Sequence, residues 1–234
     1  MLDKTAPITE ALAGVQDGAT IMFGGFGLPG APLTLIRELL RLAPRNLTII
    51  KNEANEPGIG VSLLAEAGLV SRIVLSHLGL NSTVIDMMNR GELDVEFHPQ
   101  GVLAEKIRCG GAGLPGFLMD IGVDTIIRDN RKVMEYQGRD VIVEPGLRAD
   151  VALIHAAKAD RLGNLVYEKT ARNFNPLMAQ AADLVVAEAV TVVETGELDP
   201  DCVHTPCAFV DRIVDLGGVL PNEYGVLKHH VRKA

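Results

Sequence analysis

Three glycines spaced as Gly25-x-Gly27-x-x-Gly30 stand between an apolar run, TIMF at 20–23, and a helical pattern, PLTLIRELLRL from Pro32. Glu53 follows the second strand-like run, LTII at 47–50, at the distance where a dinucleotide fingerprint carries its ribose-binding acid. Strand, glycine loop, helix and distal acid together make a nicotinamide-dinucleotide site: the glycines admit a pyrophosphate to backbone amides, and the helix N-terminus favours its charge. Two prolines disagree. Pro29 biases Leu28, and Pro32 biases Ala31, away from the α region, so the helix starts at Pro32 and Gly30 falls outside it. The third glycine then has no part in close helix–strand packing. What remains is a loop, Gly24 to Gly30, whose amides and following helix dipole suit a phosphate or a pantetheine arm. A tight strand-to-helix crossover without a ligand accounts for the same residues.

Other chemistry-bearing residues are scattered. Cys109, Cys202 and Cys207 form no C-x-x-C spacing, so neither a disulfide framework nor a structural zinc site is expected. His77, at the end of RIVLS, faces the cleft or is a satisfied structural group, the latter preferred; His98, His155 and His204 lack metal-ligand spacing, and His229-His230 lie next to the end of the chain. Arg172, Asn173 and Asn175, in ARNFNP, carry donors suited to a subunit contact or to a helix cap ahead of Pro176; the structural role is preferred.

The elements that position these groups alternate. RIVLS at 72–76 and DVEF at 94–97 read as further strands, and GIGVSLLAEAGL and STVIDMMNRGE as helices. LAEKIRCG reads as a helix ending at glycine, so GAGLPG at 111–116, an echo of GFGLPG, reads as a helix C-cap and turn or as a substrate-facing loop. Beyond residue 115, TIIRD, KVMEYQG and RDVIVEP read as short antiparallel strands before the α/β pattern resumes. The expected fold is a mostly parallel open sheet flanked by helices, with a small embedded antiparallel meander. No Pro/Gly/Ser linker divides residues 1–234, so one domain is expected.

Composition removes several function classes. The 234 residues are 47% hydrophobic, and 30 acidic against 22 basic residues give a formal charge of −8. Only the tail LKHHVRKA concentrates positive charge, which argues against nucleic-acid binding. No apolar run approaches membrane-spanning length, and MLDKTAPITEALAG lacks the pattern of a secretory leader, so a cytoplasmic protein without a membrane partner is expected.

The run DGATIMFGGFGLPGAP, Asp17 to Pro32, resembles throughout the signature of family I coenzyme A transferases. PQGVLAEKIRCGGAGLPGF at 99–117, KADRLGNLVY at 158–167, ARNFNPLMAQAA at 171–182 and ETGELDPDCVHTP at 194–206 resemble the same family. Order and length are similar to the α (A) subunit of a two-chain acetate/acetoacetate or 3-oxoacid CoA-transferase. The resemblance implies a ping-pong transfer of CoA between an acyl-CoA and a free carboxylate through a glutamyl-CoA intermediate, with no metal and no permanently bound cofactor. It places the nucleophilic glutamate in a Ser-Glu-Asn-Gly-like motif of a β subunit, which is absent here, and implies an α2β2 assembly inactive without its partner.

For this chain the resemblance assigns Gly24, Gly25, Phe26, Gly27, Leu28, Pro29 and Gly30 to CoA, Asn52 to the substrate, and Gln100 to a contact with the reacting carboxyl group. Members commonly carry Asn-Asn where this chain has Asn52-Glu53, so Glu53 is not carried over; a solvated or ion-paired role is expected for it. One alternative is an NAD-binding oxidoreductase module built on Gly25, Gly27, Gly30 and Glu53. Another is a regulatory or sugar-phosphate-sensing protein of the same architecture.

Overall fold

The computed structural model describes residues 2–129 and 131–220. His229-His230 and the basic tail lie outside the described residues. In chain order the elements are α1 (Ile8–Ala11), β1 (Thr20–Phe23), α2 (Leu33–Leu42), β2 (Leu47–Ile50), α3 (Ser62–Glu66), β3 (Val70–Leu75), α4 (Ser82–Asn89), β4 (Asp94–Phe97) and α5 (Gln100–Gly111). There follow β5 (Gly116–Met119), β6 (Lys132–Tyr136), β7 (Arg139–Pro145), β8 (Ala149–Asp160), β9 (Leu165–Val166), α6 (Asn175–Gln180), β10 (Ala182–Val193) and β11 (Arg212–Asp215).

The main sheet runs β11-β10-β8-β1-β2-β3-β4 with every neighbouring pair parallel, and β9 adds antiparallel to β8. Successive residues of a strand point to opposite faces, and both faces here are covered. On β1, Ile21 and Phe23 enter one core with Leu33, Ile36 and Leu39 of α2, Leu64 of α3 and Val84 of α4. Met22 points the other way, into a core with Leu103 and Ile107 of α5 and Met178 of α6. Strand order grows from β1 toward β4 on one side and from β8 toward β11 on the other, so β1 and β8 flank a topological switch point. In open parallel sheets the crevice outside the carboxyl ends of the strands at such a point is where ligands bind. The glycine loop leaves the sheet there.

The meander is a separate three-stranded antiparallel sheet, β5-β7-β6. It packs on α5 through Val102, Met119 and Ile142, and a buried Lys106–Glu144 ion pair ties α5 to β7. Two of its details depart from expectation. TIIRD is not a strand: Thr125 Oγ1 accepts from the Ile127 amide and closes a 3-10 turn over Ile126–Arg128, leaving Ile126 85% exposed. The missing strand is supplied by GFLM at 116–119, whose flanking Pro115 and Gly116 conceal it in the sequence. The segment GIGVSLLAEAGL forms its helix only from Ser62, because Gly58 and Gly60 adopt φ of 77° and 58°.

Two glycines of this frame should respond oppositely to alanine. Gly101, in the first turn of α5, has no positive φ and no atom within 4 Å of an added Cβ, so Gly101→Ala should stabilise by about 0.4–1 kcal/mol. A Cβ on Gly24 collides with the buried Asn175 side chain, so Gly24→Ala should cost about 1–3 kcal/mol. Urea denaturation of both variants measures the two signs.

Candidate active site at the switch point

The Gly24–Gly30 loop is held from three sides. The Gly24 amide donates to Leu153 O of β8 at 2.9 Å, and the Phe26 amide donates back to Pro29 O at 3.1 Å, closing the loop on itself. Gly25 has φ 96°, and its Cβ position lies 2.7 Å from Ala31 N, so no other residue fits there. Gly30, at φ 77°, is pressed against the 171–175 segment: an added Cβ would sit 2.5 Å from Ala171 O and 2.7 Å from Asn175 Nδ2. Asn173 Nδ2 donates to Pro29 O at 2.9 Å, and Asn175 Nδ2 donates to Gly30 O at 3.1 Å and Ala171 O at 2.8 Å. The Asn175 oxygen accepts from the His155 amide of β8 at 3.1 Å. Helix α6 therefore receives no side-chain cap from Asn175, contrary to one role open to ARNFNP; the side chain clamps the glycine loop.

Gly30 lies outside α2, as the prolines require, with Pro32 at the cap position. The amide of Leu35, in the first turn of α2, is already used. It donates to Glu188 Oε2 at 3.0 Å, and Glu188, fully buried on β10, also contacts His155 Nδ1 at 2.9 Å. An internal carboxylate thus occupies the helix end that the sequence pattern offers to a ligand phosphate. This removes the central feature of the dinucleotide reading. The signal that could have shown it is a lone acid inside the apolar strand VVAEAVTVV.

Beneath the loop lies Lys51, at the end of β2 and fully buried. Its Nζ donates to Gly27 O and to Asn52 Oδ1, each at 3.0 Å, and the Gly27 amide donates to the same Asn52 oxygen at 3.3 Å. Burial lowers its pKa from 10.5 to about 8, with the nearby Glu53 charge partly offsetting the loss. Two donors on one oxygen fix the Asn52 carboxamide with Nδ2 facing away from them. Gln100, the first residue of α5, is held by Ser76. The Ser76 hydroxyl, after β3, has one proton, which it donates to the Asn52 backbone carbonyl at 2.8 Å; its oxygen is then left as the acceptor for an amide N–H of the Gln100 carboxamide beside it. Asn52 and Gln100 thus follow β2 and β4, the Asn52 oxygen held by two protein donors and the Gln100 carboxamide held by Ser76.

Glu53 is 12% exposed at its side chain, with Asn55 Nδ2 at 3.5 Å and His77 Nδ1 at 3.9 Å. It faces Gly27 and is largely, not fully, withdrawn from water. Phe26 is 51% exposed and stacks on Phe174 at 6.5 Å between ring centroids, forming the lip of the loop. The remaining histidines are structural: His98 pairs with Glu96 at 2.7 Å, and His204 Nδ1 accepts from the Tyr167 amide at 2.9 Å. Cys109, Cys202 and Cys207 are free thiols. Among the described residues no group of His, Cys, Asp and Glu is placed to hold a metal ion, and no helix is long and apolar enough to cross a membrane.

An open parallel sheet whose switch point carries a clamped glycine loop, with Asn52 and Gln100 beside it, defines a doubly wound α/β protein with a candidate ligand site at the carboxyl ends of its strands. Residues 5–216 match the coenzyme A transferase family, and the chain belongs to it. It is 46% identical over 212 residues to the A subunit of succinyl-CoA:3-ketoacid coenzyme A transferase from Xanthomonas campestris pv. campestris (strain B100), covering 90% of this chain and 88% of that relative. It is 44% identical over 214 residues to the alpha subunit of acetate CoA-transferase from Escherichia coli (strain K12), covering 92% and 97%. In fold it is similar to the acyl-CoA transferase YdiF of E. coli O157:H7, solved as a thioester complex with CoA, with a TM-score of 0.82 at 24% identity. That likeness covers 95% of this chain and 50% of the YdiF chain, so the protein spans half of YdiF's length.

The Lys51 charge predicts a linkage with pH. A folded pKa below the unfolded one means that the unfolded chain binds more protons between about 8 and 10.5, so stability gains with pH across that window. The stability of the wild type minus that of Lys51→Met should therefore climb from pH 8 to 10.5; a flat difference in urea titrations would show that Lys51 is not desolvated.

Proposed function

We propose that this chain is the α subunit of a CoA-transferase that moves CoA between a short-chain acyl-CoA or 3-oxoacyl-CoA and a free acid such as acetate or acetoacetate. The observation that carries the reading is the pair of carboxamides, Asn52 and Gln100, set beside the glycine loop, Asn52 with its oxygen satisfied by Lys51 and Gly27 and Gln100 held by Ser76 with one N–H to spare. Each offers N–H donors where an acyl oxygen gains negative charge, as transition-state stabilisation requires. The capped α2 terminus favours the uncharged pantetheine arm over the pyrophosphate as the part of CoA that lies along Gly24–Gly30.

The nucleophile is supplied by a β subunit, in an α2β2 complex. Its glutamate carboxylate attacks the thioester carbonyl, expelling CoA thiolate and leaving an acyl-glutamyl anhydride. The thiolate then attacks the glutamyl carbonyl, which releases the first acid and leaves glutamyl-CoA. The acceptor carboxylate reverses both steps and departs as the new acyl-CoA. A carboxylate is a weak nucleophile in water, so the site must exclude water and align it. Phe26, exposed and stacked on the buried Phe174, is the surface that the second chain covers in this scheme. No tightly held cofactor takes part; CoA enters as a substrate.

The test is co-expression with a β subunit of the same family and assay against a panel of acyl-CoA donors and acids. CoA transfer, with the glutamyl-CoA adduct located by mass spectrometry on the β chain, is the expected result. Gln100→Ala should lower kcat by about 10²–10³-fold in an assembled complex, the usual cost of an oxyanion donor. Glu53→Gln should leave the adduct intact. Loss of the adduct in Glu53→Gln would place the nucleophile in this chain, and NAD(H) binding without CoA transfer would restore the dinucleotide reading.

A further inference from the structure

Lys51 is not among the residues the family resemblance assigns to the site, yet its side chain ends inside it. A fully buried lysine is expensive unless its ammonium has acceptors, and an apolar residue of similar shape is usually as stable in such a place. Here the two acceptors found are Gly27 O, in the centre of the glycine loop, and Asn52 Oδ1. Neither is a structural group remote from the site. The Gly27 amide donates to the same Asn52 oxygen, so lysine, loop and carboxamide close a three-membered network in which Asn52 Oδ1 takes two donors.

An ammonium has donors alone, which decides the orientation of the amide. With Lys51 Nζ and Gly27 N both pointing at it, the facing atom of Asn52 is oxygen, and the NH2 group is turned out toward the switch-point crevice. Among the described residues Asn52 Nδ2 has no hydrogen-bond partner, and although Asn52 is only 2% exposed this atom is not sealed from solvent. The charged groups facing this network are few: Glu53, on the same strand end, whose charge favours the ammonium, and His77, 3.9 Å beyond Glu53. Neither bonds Asn52.

We infer that Lys51 is a positioning residue for transfer, locking the Asn52 carboxamide in the orientation that donates to the substrate oxygen and holding Gly27 of the loop beneath the same site. It touches no substrate atom and acts through Asn52. The inference rests on the proposed transferase activity for its kinetic readout, and on loop geometry alone for its second readout.

The experiment is a double-mutant cycle in the assembled complex, with Lys51→Met, Asn52→Ala and the pair. Lys51→Met removes the donor while keeping the volume, and it should fold with undiminished thermal stability. Its kcat should fall by about 10- to 100-fold with KM changed much less, the loss of one charge-assisted hydrogen bond that matters in the transition state. In the Asn52→Ala background the same substitution should change kcat by less than about twofold, because the group through which it acts is gone. Hydrogen exchange of the 24–30 segment, which needs no activity, should speed up in Lys51→Met. An equal kcat loss in both backgrounds, or unaltered kcat together with unaltered exchange in Lys51→Met, would overturn the inference. A wild-type complex without any CoA transfer would overturn the proposed function instead, leaving the exchange comparison to decide the role of Lys51. Should Lys51→Met fail to assemble, Lys51→Gln, which keeps one donor, must recover both exchange protection and kcat toward the wild type, and failure to do so counts against the inference.

Discussion

The parallel pairing of β1 with both β2 and β8 is the constraint from which the site follows. Ile21 and Met22 take partners on each side, Ile49 and Ile50 on β2, and Val151 and Ala152 on β8. The chain must therefore leave β1 over the point where strand order diverges, and whatever follows Phe23 roofs that crevice. The segments after β2, β3 and β4 emerge along the same edge, which is why Asn52, Ser76 and Gln100, well separated in sequence, meet in one hydrogen-bonded chain. The 171–175 segment, packed against the carboxyl-end stretch of β8, closes the other side.

Within that frame the loop is shaped by buried polar groups and not by apolar packing. Asn175, Lys51 and Glu188 are each removed from water, and each has its acceptors or donors supplied by the loop or by the helix that follows it. Unpaired, any of them would cost more than a lost surface contact, so the arrangement tolerates few alternatives. These bonds hold the loop in the conformation described, and in the proposed function that preorganisation would reduce the ordering cost of binding. It also explains why the first turn of α2 is satisfied from within.

Much of this architecture is legible in the residues. TIMF, LTII and DVEF form strands over the stretches expected, because each is a short apolar or alternating run bounded by turn residues. The prolines correctly place Gly30 outside α2. What stays hidden is chiefly tertiary. TIIRD has the composition of a strand, but Thr125 offers its backbone a local turn instead. Asn175 resembles a helix cap because Pro176 follows it, whereas its partners, Gly30 and His155, are far away in sequence. Glu188 and Lys51 each stand alone in an apolar strand, a pattern that announces a buried charge without naming its partner. The partners come from the sheet order, which no local pattern contains.

The packing around the glycine loop bears on how such a site can be redesigned. Positions 24, 25 and 30 are closed to side chains by Asn175, Ala31 and Ala171, so they are fixed by the scaffold whatever ligand is bound. Position 27 meets a flexible carboxylate tip, that of Glu53, and Phe26 projects from the fold altogether. A library aimed at new acyl or thiol substrates would therefore gain nothing from three of the four glycines and should spend its diversity on the outward aromatic and on residue 53. In that sense the glycine signature is largely the imprint of neighbouring chain, and the side chains left free to change beside it are Phe26 and Glu53.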